Sequence, residues 1–207
     1  MTERTSYINE TLKKYLEDLS ARTDVPGGGS AAALSAAIAV ALNLMVINFS
    51  LQKDSGIAES DMMIVAKAKQ EEALKKLSLL VDKDSKVFRS LMEAISKKEP
   101  DLEDKYVAAA KVPLDVCSEC HAALDIAAFL SDSGNRNLIS DVGCAARLLR
   151  AAFDSARYNV EINLRSIKDE ETVKVMKSRI DGLAEGIKSA EEEIARNVEK
   201  VLTGKAG

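Results

Sequence analysis

Apolar residues recur every three or four positions along almost the whole chain, and no bounded run alternates as a strand would. Ile8, Leu12, Tyr15, Leu16 and Leu19 predict a first helix, ended by "TDVPGGG", where Pro26 disfavours helix at Val25. A second helix, with Ser30 as its N-cap, is expected to run to about Leu51 and is apolar nearly all round. Ile64, Ala68, Leu74, Leu77, Val81, Phe88, Leu91 and Ile95 predict a third over 57–95, in one piece or with a tight bend. The fourth, from about Leu102 to Leu130, contains Pro113, which removes a backbone donor and is expected to kink or split it. After the loop "SDSGNRN", the stretch "LISDVGCAARLLRAAFDSARYNVEINLRSI" predicts a fifth helix. Val173, Met176, Ile180, Leu183, Ile187, Ala190 and Ile194 mark the packing seam of the last. The expectation is an all-α bundle of about six helices with a buried central Ala-rich helix, forming one domain over 1–207.

Composition sharpens this picture. Hydrophobic residues make up 46% of the chain but aromatics only 4%, and with 3 prolines there are few breakers, which favours helices. A net charge of -4 supplies no field to neutralise a phosphate backbone, so a nucleic-acid partner is not expected. "MTERTSYINETLKKYLEDL" lacks a basic region followed by an apolar core, and a cytoplasmic setting is expected. "AAALSAAIAVALNLMVINFSL" is uncharged and long enough to cross a bilayer. Alanine contributes little transfer energy, however, and Asn43 and Asn48 are costly in hydrocarbon, so a buried helix of a bundle is expected and not a membrane span. Its small side chains let helices approach closely, which also suits a symmetric dimer.

Four stretches carry candidate chemistry. "CSECH" places Cys117, Cys120 and His121 in the pattern of covalent haem attachment, with Cys144 as a conceivable zinc ligand. In mid-helix, Cys117, Cys120 and Leu124 share one apolar face and read as core, so no metal is expected. "PGGGS", Pro26 to Ser30, is neither a dinucleotide fingerprint nor a P-loop. At a helix N-terminus it either presents backbone donors to an anionic or polarised group or lets the chain pass close to another backbone. In "LVDKDSKVFRS", Asp82 and Asp84 are two apart and point about 200° apart on a helix, so only one of them faces a given pocket. "GNRNLISD" and "NVEIN" gather Asn135, Asn137, Ser140, Asp141, Asn159 and Asn163 around one helix, more neutral hydrogen-bonding groups than capping needs, and they suit a polar heterocycle.

In this order, "PGGGS" before an Ala-rich helix, D-x-D-x-x-x-F, "VPL" and GN-x-N-x-I-S-D continuing through NV-x-I-N span Pro26 to Ile167. The combination resembles the cyclodeaminase/cyclohydrolase family of folate one-carbon enzymes. The resemblance implies an all-helical homodimer, with no metal and no cofactor beyond the folate itself. It implies Asp84 as the catalytic acid/base. For the walls of the folate site it implies Gly27, Gly28, Gly29 and Ser30 and the SD region at Ser140 and Asp141; Pro26, Asn135, Asn159 and Asn163 complete the expected substrate-binding set. Family members carry a longer segment with an "LPK" signature before "VPL". Here it reads "ISKKEPDLEDKYVAAAK", and Lys97 and Lys98 are not assigned to the site.

Two folate activities follow from the resemblance. One is hydrolysis of 5,10-methenyltetrahydrofolate to 10-formyltetrahydrofolate; the other is cyclodeamination of a formimino-folate with release of ammonia. With about 25 residues ahead of the glycine loop, no formiminotransferase module is expected there, and hydrolysis is the expected activity. A non-enzymatic helical adaptor, in which glycine loop and asparagines only pack, differs from both in not binding a reduced folate.

Overall fold

The computed structural model describes residues 6–51 and 57–204. Residues 1–5 of the segment read for a targeting signal lie outside them. Six helices follow in order: α1 Leu12–Ser20, α2 Gly28–Ser50, α3 Ile57–Ser96, α4 Glu103–Ser133, α5 Ile139–Leu164 and α6 Glu170–Leu202, with a 3-10 turn at Arg136–Leu138 before α5. No strand occurs among the described residues.

The Ala-rich helix α2 is the centre of the bundle, packed against α3, α4 and α5. Ala32, Ala33, Ala36, Ala37 and Ala39 are buried, and the bulk filling the space around the alanines comes from residues such as Leu77, Leu124, Leu149 and Phe153. Asn43, fully buried on α2, donates to the Gln70 side chain and to the Ala123 carbonyl, tying α2 to α3 and α4. α2 is long and apolar enough to cross a bilayer, yet much of it is covered by its neighbours. α5 runs antiparallel to it: the Asn135 N–H donates to Ser50 at the end of α2, whereas Asn159, near the end of α5, sits beside Gly28 at the start. α6 lays Ile180, Ile187, Ala190 and Ile194 on the bundle, as their spacing predicts.

Three local expectations change. The first helix begins only at Leu12, with Thr11 capping the Lys14 N–H. Its apolar stripe faces outward, Leu12 being 65% and Leu16 53% exposed, because Tyr15 and Asp18 take the inner face. The cap of α2 is Gly27, and Ser30 lies one turn inside. The fourth helix runs unbroken through Pro113. A proline frees the carbonyl four residues earlier, here Ala109, and the Asn163 side-chain N–H donates to that carbonyl at 3.1 Å. A neighbouring helix thus supplies the bond that proline removes.

Candidate active site

Asp84 projects from α3 toward the first turn of α2. The first backbone N–H groups of a helix have no partner within it, and the Ser30 N–H, one of these, donates to the Asp84 carboxylate at 3.0 Å. The approach is so close that a Cβ on Gly29 would overlap the carboxylate. At Gly28 a Cβ would meet only the Asn159 side chain, at 3.5 Å. The glycine that sequence alone cannot single out is therefore Gly29, and neither Gly28 nor Gly29 adopts a positive φ. Proximity to Asp84, and not a positive φ, requires glycine at Gly29.

Around Asp84 a cleft of about 160 Å³ is lined by Gly27, Gly28 and Gly29 on one side, by Val87 and Phe88 on α3, and by Ala109 and Val112 on α4. Asn159, Ile162 and Asn163 on α5 close it. The Asp84 carboxylate, two carboxamides and the positive end of α2 thus meet on a largely apolar lining, with the exposed Asp24 at its rim. Burial lifts the Asp84 carboxyl above its ordinary value, and the Ser30 N–H pulls against that rise. A carboxyl so held can exchange a proton nearer neutrality than a solvated one.

The expected site residues separate into two groups. Asp84, Gly27, Gly28, Gly29, Asn159 and Asn163 come together, with Ser30 holding Asp84 through its backbone and buried Pro26 leading into the loop. Asn163 has one amide hydrogen on Ala109 and Asn159 donates to the Ser155 carbonyl, so both are also structural. Asn135, Ser140 and Asp141 are not brought to this cleft within the chain. They lie at the opposite end of α5, about 28 Å away at 1.5 Å per residue. Asn135 caps the 3-10 turn by accepting from the Asn137 N–H. Sequence spacing put both groups on one helix but could not show that its two ends reach different places.

Residues that the sequence reading missed stand behind the glycine loop. The Tyr15 hydroxyl lies 3.1 Å from Ser30 Oγ, and burial raises the pKa of that phenol. Tyr7 packs edge-on against Tyr15 and donates to the Val25 carbonyl. The only signal was that two of the chain's few aromatics fall in its first fifteen residues.

Cys117 and Cys120 are fully buried, and burial pushes the Cys117 thiol up to about 12 and Cys120 well above its usual value. Thiols so placed are inert core groups. His121 lies against α6, where a side chain on Gly186 would collide with its ring, and within 3.5 Å of Asp125. Neither group approaches the cleft lining. Lys97 pairs with Glu93 on the exposed end of α3.

The fold and cleft define a helical bundle whose site is built on one half-buried carboxylate at a helix N-terminus. Residues 11–182 match the family model described as formiminotransferase-cyclodeaminase, and the chain belongs to that family. It is 32% identical to the methenyltetrahydrofolate cyclohydrolase of Methylorubrum extorquens over 84% of this chain and 89% of that protein. It is 31% identical to the formimidoyltransferase-cyclodeaminase of Gallus gallus over 79% of this chain but only 32% of that protein. The crystal structure of formiminotetrahydrofolate cyclodeaminase from Thermotoga maritima superposes with a TM-score of 0.90 at 31% identity, covering 94% of this chain and 98% of that one.

Proposed function

We propose that this chain is an enzyme that hydrolyses 5,10-methenyltetrahydrofolate to 10-formyltetrahydrofolate, with Asp84 as its acid/base group. The carrying observation is Asp84 itself, a carboxylate held by the Ser30 N–H, on a cleft with apolar walls and two carboxamides. The substrate carries a cationic amidinium carbon between two nitrogens. A water adds to that carbon and gives a proton to Asp84. The tetrahedral adduct then expels N5, which takes the proton from Asp84, while the adduct hydroxyl releases its own proton to solvent and becomes the formyl oxygen. A carboxyl pKa lifted by burial suits both directions of transfer. Likeness to a cyclohydrolase over most of both chains supports this choice.

The Thermotoga likeness favours a second reading on the same residues, in which N10 attacks a formimino carbon and Asp84 protonates departing ammonia. Specificity constants for 5,10-methenyl- and 5-formiminotetrahydrofolate, measured on purified protein with uncatalysed hydrolysis subtracted, separate the two. A value for the formimino substrate equal to or above that for the methenyl one overturns the first reading.

The active assembly in this reading is a cytoplasmic homodimer, with α2 as a core helix and not a membrane span. α2 carries no charge, and Leu34, Ile38, Ala41, Met45 and Phe49 form a stripe left open or only half covered. Two such stripes paired antiparallel bring the C-terminal end of one α2 to the N-terminal end of the other. Because Asn135 is bonded to Ser50, the partner's Asn135, Ser140 and Asp141 arrive at this chain's cleft end. That accounts for a one-chain cleft of about 160 Å³, smaller than the roughly 300–1,000 Å³ of complete small-molecule sites.

A further inference from the structure

The chemistry above uses Asp84 and leaves the other carboxylate of the pair. Asp82, turned away from the cleft as its spacing requires, accepts from the Ser6 hydroxyl with one oxygen and from the Tyr7 N–H with the other. Arg89, two turns further along α3, donates to the Tyr7 hydroxyl oxygen at 3.1 Å, and that hydroxyl donates to the Val25 carbonyl at 3.2 Å. Thr23 donates to the same carbonyl at 3.1 Å. The buried Tyr7 ring meets the Tyr15 ring edge-on at 5.9 Å, and Tyr15 reaches Ser30 Oγ. Residues 6–25 are thus a strap fastened to α3 at Asp82 and Arg89, and it grips the chain on both sides of Gly27–Gly29, at Val25 and at Ser30.

Three consecutive glycines have the most backbone freedom to lose of any tripeptide, and nothing in their own side chains restrains them. We propose that Asp82 is a positioning residue, the anchor of an N-terminal strap that holds the glycine loop in place for substrate without touching it. The inference rests on the reading of the cleft as the substrate site. The Ser30 N–H to Asp84 bond belongs to the first turn of α2 and survives loss of the anchor. Loosening therefore acts on binding and leaves the protonation of Asp84 alone.

The test compares wild type, Asp82→Ala, Asp82→Asn and Tyr7→Phe as full chains. Asp82→Ala and Tyr7→Phe are expected to raise KM for 5,10-methenyltetrahydrofolate about fivefold to tenfold, the scale of one lost hydrogen bond. Their kcat stays within about twofold, and the acid limb of its pH profile does not move. Asp82→Asn, which keeps an acceptor for the Tyr7 N–H, recovers most of the loss. Amide hydrogen exchange at residues 27–29 is faster in both damaging variants, while Ser30, α3 and α4 keep their protection. The proposal falls if KM and loop exchange stay at wild-type values. It falls equally if kcat drops with a shifted acid limb, which would place Asp82 on the Asp84 proton, or if exchange accelerates across the whole bundle in both variants. Should the wild-type chain convert no folate, the reading of the site fails, and the exchange comparison still decides the strap.

Discussion

At Asp84 a single carboxylate serves two masters: it caps an orphan N–H of α2 and faces the cleft. Its raised pKa means that the folded chain holds this proton more tightly than the unfolded one. Ionising it therefore costs folding free energy, and its contribution to stability falls as pH climbs from the ordinary carboxylate value toward the folded one. Asp84→Asn keeps an acceptor for Ser30 and loses the charge. Its melting temperature is expected to be no lower than wild type at neutral pH, with any advantage disappearing below about pH 3.9. Activity drops about 10²–10⁴-fold, the usual contribution of a general acid–base group. A variant retaining more than about a tenth of wild-type kcat would remove Asp84 from that role. For the wild type, the acid limb of kcat/KM is expected above the value of a solvated aspartate.

Among the elements, α4 and α5 are joined where the backbone of α4 is weakest. Pro113 leaves the Ala109 carbonyl without its helical donor, and Asn163 provides one, next to the cleft that Ala109 and Val112 line. Asn163→Ala leaves that carbonyl unpaired and is expected to cost about 1–3 kcal/mol by denaturant unfolding. Pro113→Ala restores the N–H, so in the Pro113→Ala background the same Asn163→Ala change costs clearly less. An equal cost in both backgrounds would show that Asn163 acts through substrate or packing and not through this bond. The pairing also explains how "VPL" and "NVEIN", fifty residues apart, belong to one structural unit.

For the whole molecule, the two ends of α5 pose the question of whether one chain makes a complete site. If the partner's Asp141 serves this chain's Asp84, mixing inactive Asp84→Asn and inactive Asp141→Ala chains, dissociated and reassembled, gives mixed dimers in which one site has both native groups. About a quarter of wild-type activity is then recovered. No recovery, with both variants dimeric, places Asp141 outside the partner's site, and full activity of Asp141→Ala alone removes it from the chemistry. Ile38→Lys, which puts a charge on the open stripe of α2, is expected to yield monomers by light scattering.

The sequence by itself determined the helices, because their period, breakers and length are local properties. All six appear in the expected order, the first starting only at Leu12, and α2 is legible as a core helix from its alanines and from Asn43 and Asn48. It also determined that Asp82 and Asp84 part company, since an i, i+2 pair on a helix has no other choice. Only tertiary structure decided what each of them meets: a strap from the N-terminus for Asp82, a helix end for Asp84. It alone put Leu12 and Leu16 outside and Tyr15 inside, kept α4 continuous through Pro113 with a bond from α5, and sent Asn135 and Asn163 to opposite ends of the bundle. Each of these depends on contacts between residues tens of positions apart, and periodicity, a statement about neighbours, carries no information on which distant partner completes a hydrogen bond.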